Sequence, residues 1–354
     1  MTGVVDAVRT SGDPAAAERR CPFCEAVGRW EPLRIREMMF GTREAFDYLR
    51  CAACGSLVIV AVPDDLARHY PASYYANSSR VAVTEHGPLR RVLVRSLARE
   101  ALFGTRDALL PLARRTAALP PGFDEIKAIV KGARLRSFAD RIADVGSGAE
   151  PYRLALLRKI GFDDVVGLEP FIPADLTYRG VTVKKGDLTA LTGTFSLIMF
   201  HHSLEHIPDP AKALELARRR LAPSGSVLVR MPIADGPLWR RYGTDWVELD
   251  APRHLALPSR KGFEAAAERA GFGIARMTWE SGNWELIASE QYQQDIAMYE
   301  PSSWFVDPSA AAITDDQVIA FRDEAKRMNQ AGEAGRAAIW LRPRAYDDTD
   351  GRAA

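Results

Sequence analysis

The chain has 354 residues, 47% of them apolar and 26% charged, which bounds a globular protein with room for one α/β domain and a smaller accessory domain. Its 47 basic and 46 acidic side chains leave a net charge of +1, so no global field gathers nucleic acid, and a general nucleic-acid binder is disfavoured. The longest apolar run, residues 57–62, falls far short of a membrane span, and the first 20 residues lack an apolar core segment, which predicts a cytoplasmic protein.

Residues 1–20 mix small, charged and Pro/Gly residues, and 346–354 are polar, so both ends are expected to be disordered. Residues 21–80 read as a compact module containing all four cysteines, as Cys21-Pro-Phe-Cys24 and Cys51-Ala-Ala-Cys54-Gly55, with a strand over 56–62 that Pro63 stops. Each pair sets two thiolates on a tight knuckle. The 26 residues between the pairs let the knuckles converge on one tetrahedral Zn2+ held by Cys21, Cys24, Cys51 and Cys54. A closed four-thiolate site has no open position, so the predicted role is folding energy rather than catalysis. Four unrelated thiols or a secreted disulfide framework fit the paired spacing less well.

An aromatic patch, His69-Tyr70-Pro71 with Tyr74-Tyr75, leads into a helical bridge over 81–137, where Leu89, Val92, Leu93 and Leu97 recur at helical spacing. Seven arginines between Arg90 and Arg115 face only Glu100 and Asp107. A solvated helix face is the plainer reading, and a peripheral membrane or anionic-partner contact is the alternative.

From residue 141 strands over 142–145, 165–168, 181–184, 197–200 and 227–230 alternate with apolar-periodic helices over 152–160 and 211–221, which predicts a parallel sheet. A helix over 261–270 and strands over 274–279 and 338–341 follow, with an insertion over 280–336. The predicted fold class is α/β: a Rossmann-like, doubly wound, mostly parallel seven-stranded sheet over 138–345, carrying a small N-terminal zinc-ribbon domain and a helical bridge.

Where the first strand turns into its helix stand Asp144, Gly146, Ser147 and Gly148, and glycines there let backbone amides approach a ligand. A dinucleotide loop needs a third glycine where this chain has Pro151, and Asp144 would repel a pyrophosphate, so a cationic, phosphate-free cofactor fits better. Glu169 ends the second strand, the position from which a carboxylate can hold ribose hydroxyls, and Asp187-Leu188 after the third could border an adenine. Each of these acids alone would be an ordinary loop carboxylate. Their order and spacing together outweigh that.

This run resembles the class I S-adenosylmethionine-dependent methyltransferases, with their first motif in Asp144 to Gly148 and their ribose acid in Glu169. The stretch from Phe200 to Pro210 (FHHSLEHIPDP) is similar to the fourth-strand motif of that class, which places His201 beside the cofactor, and 221–226 (LAPSGS) is similar to its post-helix turn. The cysteine knuckles, Tyr70 with Tyr74-Tyr75, and 250–255 (DAPRHL) together resemble a bacterial subgroup associated with sugar and surface-glycan biosynthesis, including zinc-containing sugar methyltransferases. Ser147 stands where many relatives have Cys, and Glu150-Pro151 where a third glycine is common.

The resemblance implies methyl transfer to a sugar-containing small molecule, nucleotide sugar or glycan, with oxygen the favoured acceptor atom. Transfer from a sulfonium is an in-line displacement, and a hydroxyl acceptor must lose its proton as attack proceeds. His201, His202, His206 and His254 fall at the crevice where such a sheet works. His206, oriented by Glu205 or a neighbour, and His254 are the candidate bases, with His202 beside them and Tyr74 or Tyr75 closing over the substrate. A structural loop hydrogen bond is the competing reading for any one of them, and a metal bound by His201, His202 and His206 lacks the usual spacing. Trp239, Tyr242 and Trp246 flank Arg240, Arg241 and Arg253, a composition for stacking on a sugar and binding phosphate, or for packing a lid. A Rossmann-like scaffold that has lost catalysis is the leading alternative. An NAD-dependent sugar oxidoreductase is disfavoured by the missing glycine and the absence of a Tyr-x-x-x-Lys pair.

Overall fold

The computed structural model describes residues 19–71 and 87–344. The two ends expected to be disordered fall almost wholly outside these residues, as do Tyr74 and Tyr75. Among the described residues no helix is long and apolar enough to cross a membrane.

Three strands open the chain: β1 (Trp30–Arg36), β2 (Ala45–Cys51) and β3 (Leu57–Ile59). Three helices form the bridge: α1 (Pro88–Phe103), α2 (Leu110–Thr116) and α3 (Phe123–Gly132). Pro88 opens α1, where its missing amide costs nothing, and Gly104 ends it at φ +71°. Next come β4 (Ile142–Val145), α4 (Tyr152–Ile160), β5 (Val165–Glu169), β6 (Leu176–Tyr178), β7 (Val181–Lys185) and β8 (Phe195–His201). Then follow α5 (Pro210–Arg220), β9 (Leu221–Pro232), α6 (Pro237–Tyr242), β10 (Ala256–Leu257), α7 (Arg260–Arg269) and β11 (Phe272–Trp279). The chain closes with α8 (Asn283–Gln293), α9 (Asp315–Ala331) and β12 (Arg336–Pro343). The insertion expected over 280–336 is the α8–α9 segment.

The large sheet runs β11-β12-β9-β8-β4-β5-β7-β6. Its five central strands, β9 to β7, are parallel, and the edges are antiparallel, β12 and β11 on one side and β6 on the other. The fold is therefore the expected Rossmann-like one. The eighth strand is β6, three residues long, with half-exposed and exposed side chains and no apolar run to announce it. The 221–226 stretch behaves partly as a strand and partly as a turn. Pairing with β8 jumps from Phe195↔Leu221 to Leu197↔Ser226, so the residues between bulge out of the ladder.

β8 shows why the centre of this sheet is so apolar. Leu197 and Met199 pack on one face with α1, α3 and α4, while Ile198 and Phe200 pack on the other with α5 and α7. The bridge is thus one covering layer of the sheet. Several of its arginines are paired with acids, Arg95 with Asp163, Arg99 with Asp107, and Arg106 and Arg114 with Glu100.

A second sheet, β1-β2-β3-β10, is antiparallel, and its last strand comes from the far side of the chain. Ala256 pairs with Val58 and Leu257 with Leu57, so the cysteine module is stitched to the methyltransferase-like domain by backbone hydrogen bonds. Behind it one apolar cluster mixes Ile35, Tyr48 and Leu57 of the module with Leu286 and Tyr292 of α8 and Phe321 of α9.

Candidate active site

The four cysteines meet as the spacing predicted. Their sulfurs all lie within 4.8 Å of one another. Cys21 Sγ stands 3.8 Å from Cys54 Sγ, and Cys24 Sγ 3.7 Å from Cys51 Sγ. Zn–S bonds of about 2.3 Å give a tetrahedron with edges of about 3.8 Å, which these two pairs match, so the four sulfurs could hold a zinc ion. The shared proton between Cys21 and Cys54 pulls the Cys54 thiol down to about 4, against its burial, and pushes that of Cys21 up. Cys21, Cys51 and Cys54 are buried and Cys24 is half-buried.

The cofactor candidates gather at the carboxyl ends of β4 and β5. Gly146 and Gly148 take φ +71° and +70°, values that glycine alone adopts without cost. The Gly146 and Ser147 amides both donate to Leu168 O, at 2.8 and 3.0 Å, which folds the loop over the end of β5. Glu169 is turned towards the same loop: Oε2 accepts from Gly148 N at 3.0 Å and Oε1 from Phe171 N at 3.1 Å. Each oxygen retains an acceptor site, and burial raises the carboxyl. Asp144 is buried on β4, Oδ1 has no hydrogen-bond partner among the described residues, and burial pushes its pKa up to about 7. Asp187 is engaged differently: it caps the short turn Leu188–Ala190, accepting from Thr189 N at 2.8 Å and Thr189 Oγ1 at 2.6 Å, with Leu188 buried beneath.

The histidine motif starts where β8 ends. His201 is the last residue of the strand, buried, with neither ring nitrogen hydrogen-bonded among the described residues; burial holds it neutral. His202 takes φ +52°, a left-handed turn that reverses the chain, and Ser203 Oγ then donates to Val145 O at 2.5 Å. A Cβ on Gly146 would sit 2.5 Å from Ser203 Cβ. The motif is therefore seated directly against the glycine loop.

Leu204–His206 form a single tight turn that aims Glu205 inward. Glu205 is fully buried, neither oxygen has a hydrogen-bond partner among the described residues, and burial raises its pKa to about 8. His202 Nδ1 stands 3.5 Å from Oε1. His206 Nδ1 donates to Arg253 O at 2.8 Å, with Tyr70 Oη 3.2 Å from the same nitrogen. His254 Nδ1 donates to Glu248 O at 2.7 Å. A carbonyl only accepts, so both rings carry their proton on Nδ1 and keep a lone pair on Nε2. Burial holds both neutral, His206 down to about 3. The rings meet edge to face with centroids 4.8 Å apart. The structure thus brings Glu205, His206 and His254 together, with His202 alongside and His201 deeper in the strand.

Several groups beside this cluster give no local signal in the sequence. Glu248 and Glu285 are buried beside it, and Arg336 reaches them only at 3.7 and 3.9 Å. Phe171, two residues after Glu169 and 76% exposed, stacks against Tyr70 at 6.0 Å. The aromatic and arginine group near α6 has a packing role instead. Trp246 and Tyr242 are core residues, and buried Arg253 is matched by Asp250 and Glu37 at 2.6 and 2.8 Å. Arg241 pairs with Glu290 and Glu324. Their polarity and size mark them in the sequence, but their partners are distant in the chain.

A family model described as a methyltransferase domain matches residues 97–276. No curated protein matches the chain. Among solved structures, geranyl diphosphate C-methyltransferase from Streptomyces coelicolor A3(2) is similar at 12% identity, covering 79% of this chain and 97% of that one, with a TM-score of 0.42. A SAM-dependent methyltransferase from Archaeoglobus fulgidus has 12% identity, coverage of 66% and 99%, and a TM-score of 0.38. One from Mesorhizobium loti has 17% identity, coverage of 61% and 97%, and a TM-score of 0.37. With the family match spanning half of its length, the chain belongs to the methyltransferase-domain family, as an S-adenosylmethionine-dependent methyltransferase.

Proposed function

We propose that the protein methylates a hydroxyl of a sugar-containing acceptor, a small molecule, nucleotide sugar or glycan, and works in the cytoplasm. The observation that carries this reading is the Ser203 contact, which seats a neutral Glu205, His206 and His254 cluster against the Gly146 loop. S-Adenosylmethionine supplies an activated methyl on a sulfonium. Gly146, Ser147 and Gly148 would bring backbone to the cofactor, Glu169 would take the ribose hydroxyls, and Asp144 would face its positive charge, with Asp187, Leu188 and His201 bordering the site. The acceptor hydroxyl gives up its proton to the cluster as the oxygen takes the methyl. Glu248 and Arg336 offer polar atoms with incomplete pairing, a lining suited to a polyhydroxylated acceptor. The four cysteines hold a structural zinc.

Calorimetric titration of the zinc-replete protein tests the reading. Saturable binding of S-adenosylmethionine and S-adenosylhomocysteine, weakened at least about tenfold by Asp144→Ala or Glu169→Ala, is expected, each lost charge-assisted contact being worth about 1.5–3 kcal/mol. Methyl transfer to one of a panel of sugar nucleotides then identifies the acceptor. Binding of NAD instead, or of nothing to well-folded protein, would overturn it.

A further inference from the structure

We propose that Glu205, His206 and His254 hold a divalent first-row transition ion, distinct from the ion on the four cysteines and beside the cofactor loop. One ligand atom from each of the three lies within 4.8 Å of the others. Ligands about 2.1 Å from a common ion sit about 3–4 Å apart, so side-chain rotations of an ångström or so close the set.

Both imidazoles are already oriented as metal ligands are. Nδ1 of His206 donates to Arg253 O and Nδ1 of His254 to Glu248 O, at 2.8 and 2.7 Å. Such outer bonds fix the tautomer and leave Nε2 as the donor atom. The carboxylate is the second, independent observation. Glu37 is as deeply buried as Glu205, and its oxygens accept from Arg253 Nη2 at 2.8 Å, from the amides of Met39, Phe40 and Thr42, and from Thr42 Oγ1. Glu205 has none of this. Its two oxygens lack any hydrogen bond among the described residues, with His202 Nδ1 no nearer than 3.5 Å, and Glu248 adds further buried acid nearby, against Arg336 at 3.7 Å. A buried carboxyl with neither a hydrogen bond nor a counter-ion keeps its proton, and a bound cation would displace that proton and complete the group.

Two imidazoles and one carboxylate, without thiolate, suit Mn2+, Fe2+, Co2+ or Zn2+ and leave positions open. His206 is half-buried, whereas Glu205 and His254 are buried. The inference rests on the methyltransferase reading for its consequence alone. An ion there would acidify an acceptor hydroxyl held at the open position, and with both Nε2 atoms engaged the proton would pass to solvent water, instead of to the cluster, as the oxygen takes the methyl and S-adenosylhomocysteine leaves.

Mn2+ titration of protein loaded with a single equivalent of zinc for the four cysteines, followed by electron paramagnetic resonance and by metal analysis after desalting, tests the site. Wild type is expected to retain one zinc and to bind one Mn2+ per chain, and Glu205→Gln and His254→Ala each to weaken Mn2+ at least about tenfold with the zinc retained. Absence of a saturable Mn2+ site in wild type, or unchanged Mn2+ affinity in folded Glu205→Gln, overturns the proposal even if S-adenosylmethionine binds. Mn2+ binding without S-adenosylmethionine binding upholds the ion site and sinks the methylation chemistry instead.

Discussion

Asp144 sits on the central strand with 4% of its surface exposed, and burial outweighs the nearby Arg153 guanidinium to push its pKa up to about 7. An acid raised on folding keeps its proton over a range in which the unfolded chain has lost it. Between its ordinary value of 3.8 and about 7 the native state binds the extra proton, so this contribution to stability falls as pH rises and levels off above about 7. Asp144→Asn abolishes the effect. Denaturant unfolding between about pH 5 and about pH 7 is expected to show wild type losing stability relative to Asp144→Asn, by at most about 1.4 kcal/mol per pH unit. Parallel pH profiles for the two proteins would refute the assignment. Asp144, Gly146 and Gly148 were legible in the sequence because a strand-to-helix turn confines them to one short stretch, and Glu169 because it ends the next apolar strand. Glu248, Glu285 and Arg336 were not, because their burial and mutual approach depend on segments far apart in the chain.

The strands of the central sheet declared themselves by apolar runs and the helices by periodicity, while the cap on α5, Asp209, whose carboxylate accepts from Lys212 N at 2.9 Å, was not read from the sequence. β10 gave no such signal. Two residues long, it exists because β3 offers an edge, and it carries His254 into the site one residue before Leu255, whose carbonyl accepts from Ile59 N at 2.9 Å. Tyr48, on β2, fastens the same segment by donating to His254 O at 2.8 Å from a buried position. Tyr48→Phe leaves that carbonyl unpaired. It is expected to cost about 1–3 kcal/mol of stability and to lower methyl transfer more than cofactor affinity, because the perturbation reaches His254 and not the glycine loop. Calorimetric affinity and turnover measured side by side decide the matter. An equal loss in both would place the damage in the general fold.

At the scale of the whole molecule, the cysteine module is a continuation of the catalytic domain. Its sheet borrows β10, its core residues Ile35, Tyr48 and Leu57 share one apolar cluster with α8 and α9, and Arg253 ties Glu37 of the module to Asp250 of the catalytic domain. A module joined by so much buried surface does not unfold alone at small cost, because its loss would strip water-excluding cover from Leu286, Tyr292 and Phe321. Ion binding energy that is spent on folding the cysteine knuckles is then spent on the entire chain. Removing the zinc with a chelator, or substituting Cys24→Ser, is expected to shift a single cooperative melting transition downwards, by several kcal/mol of stability, and to carry methyl-transfer activity with it. Scanning calorimetry separates this from the modular alternative. Two resolved transitions, with the larger one unmoved by chelation and S-adenosylmethionine binding intact, would mean that the ribbon is an appendage and that His254 holds its place without it.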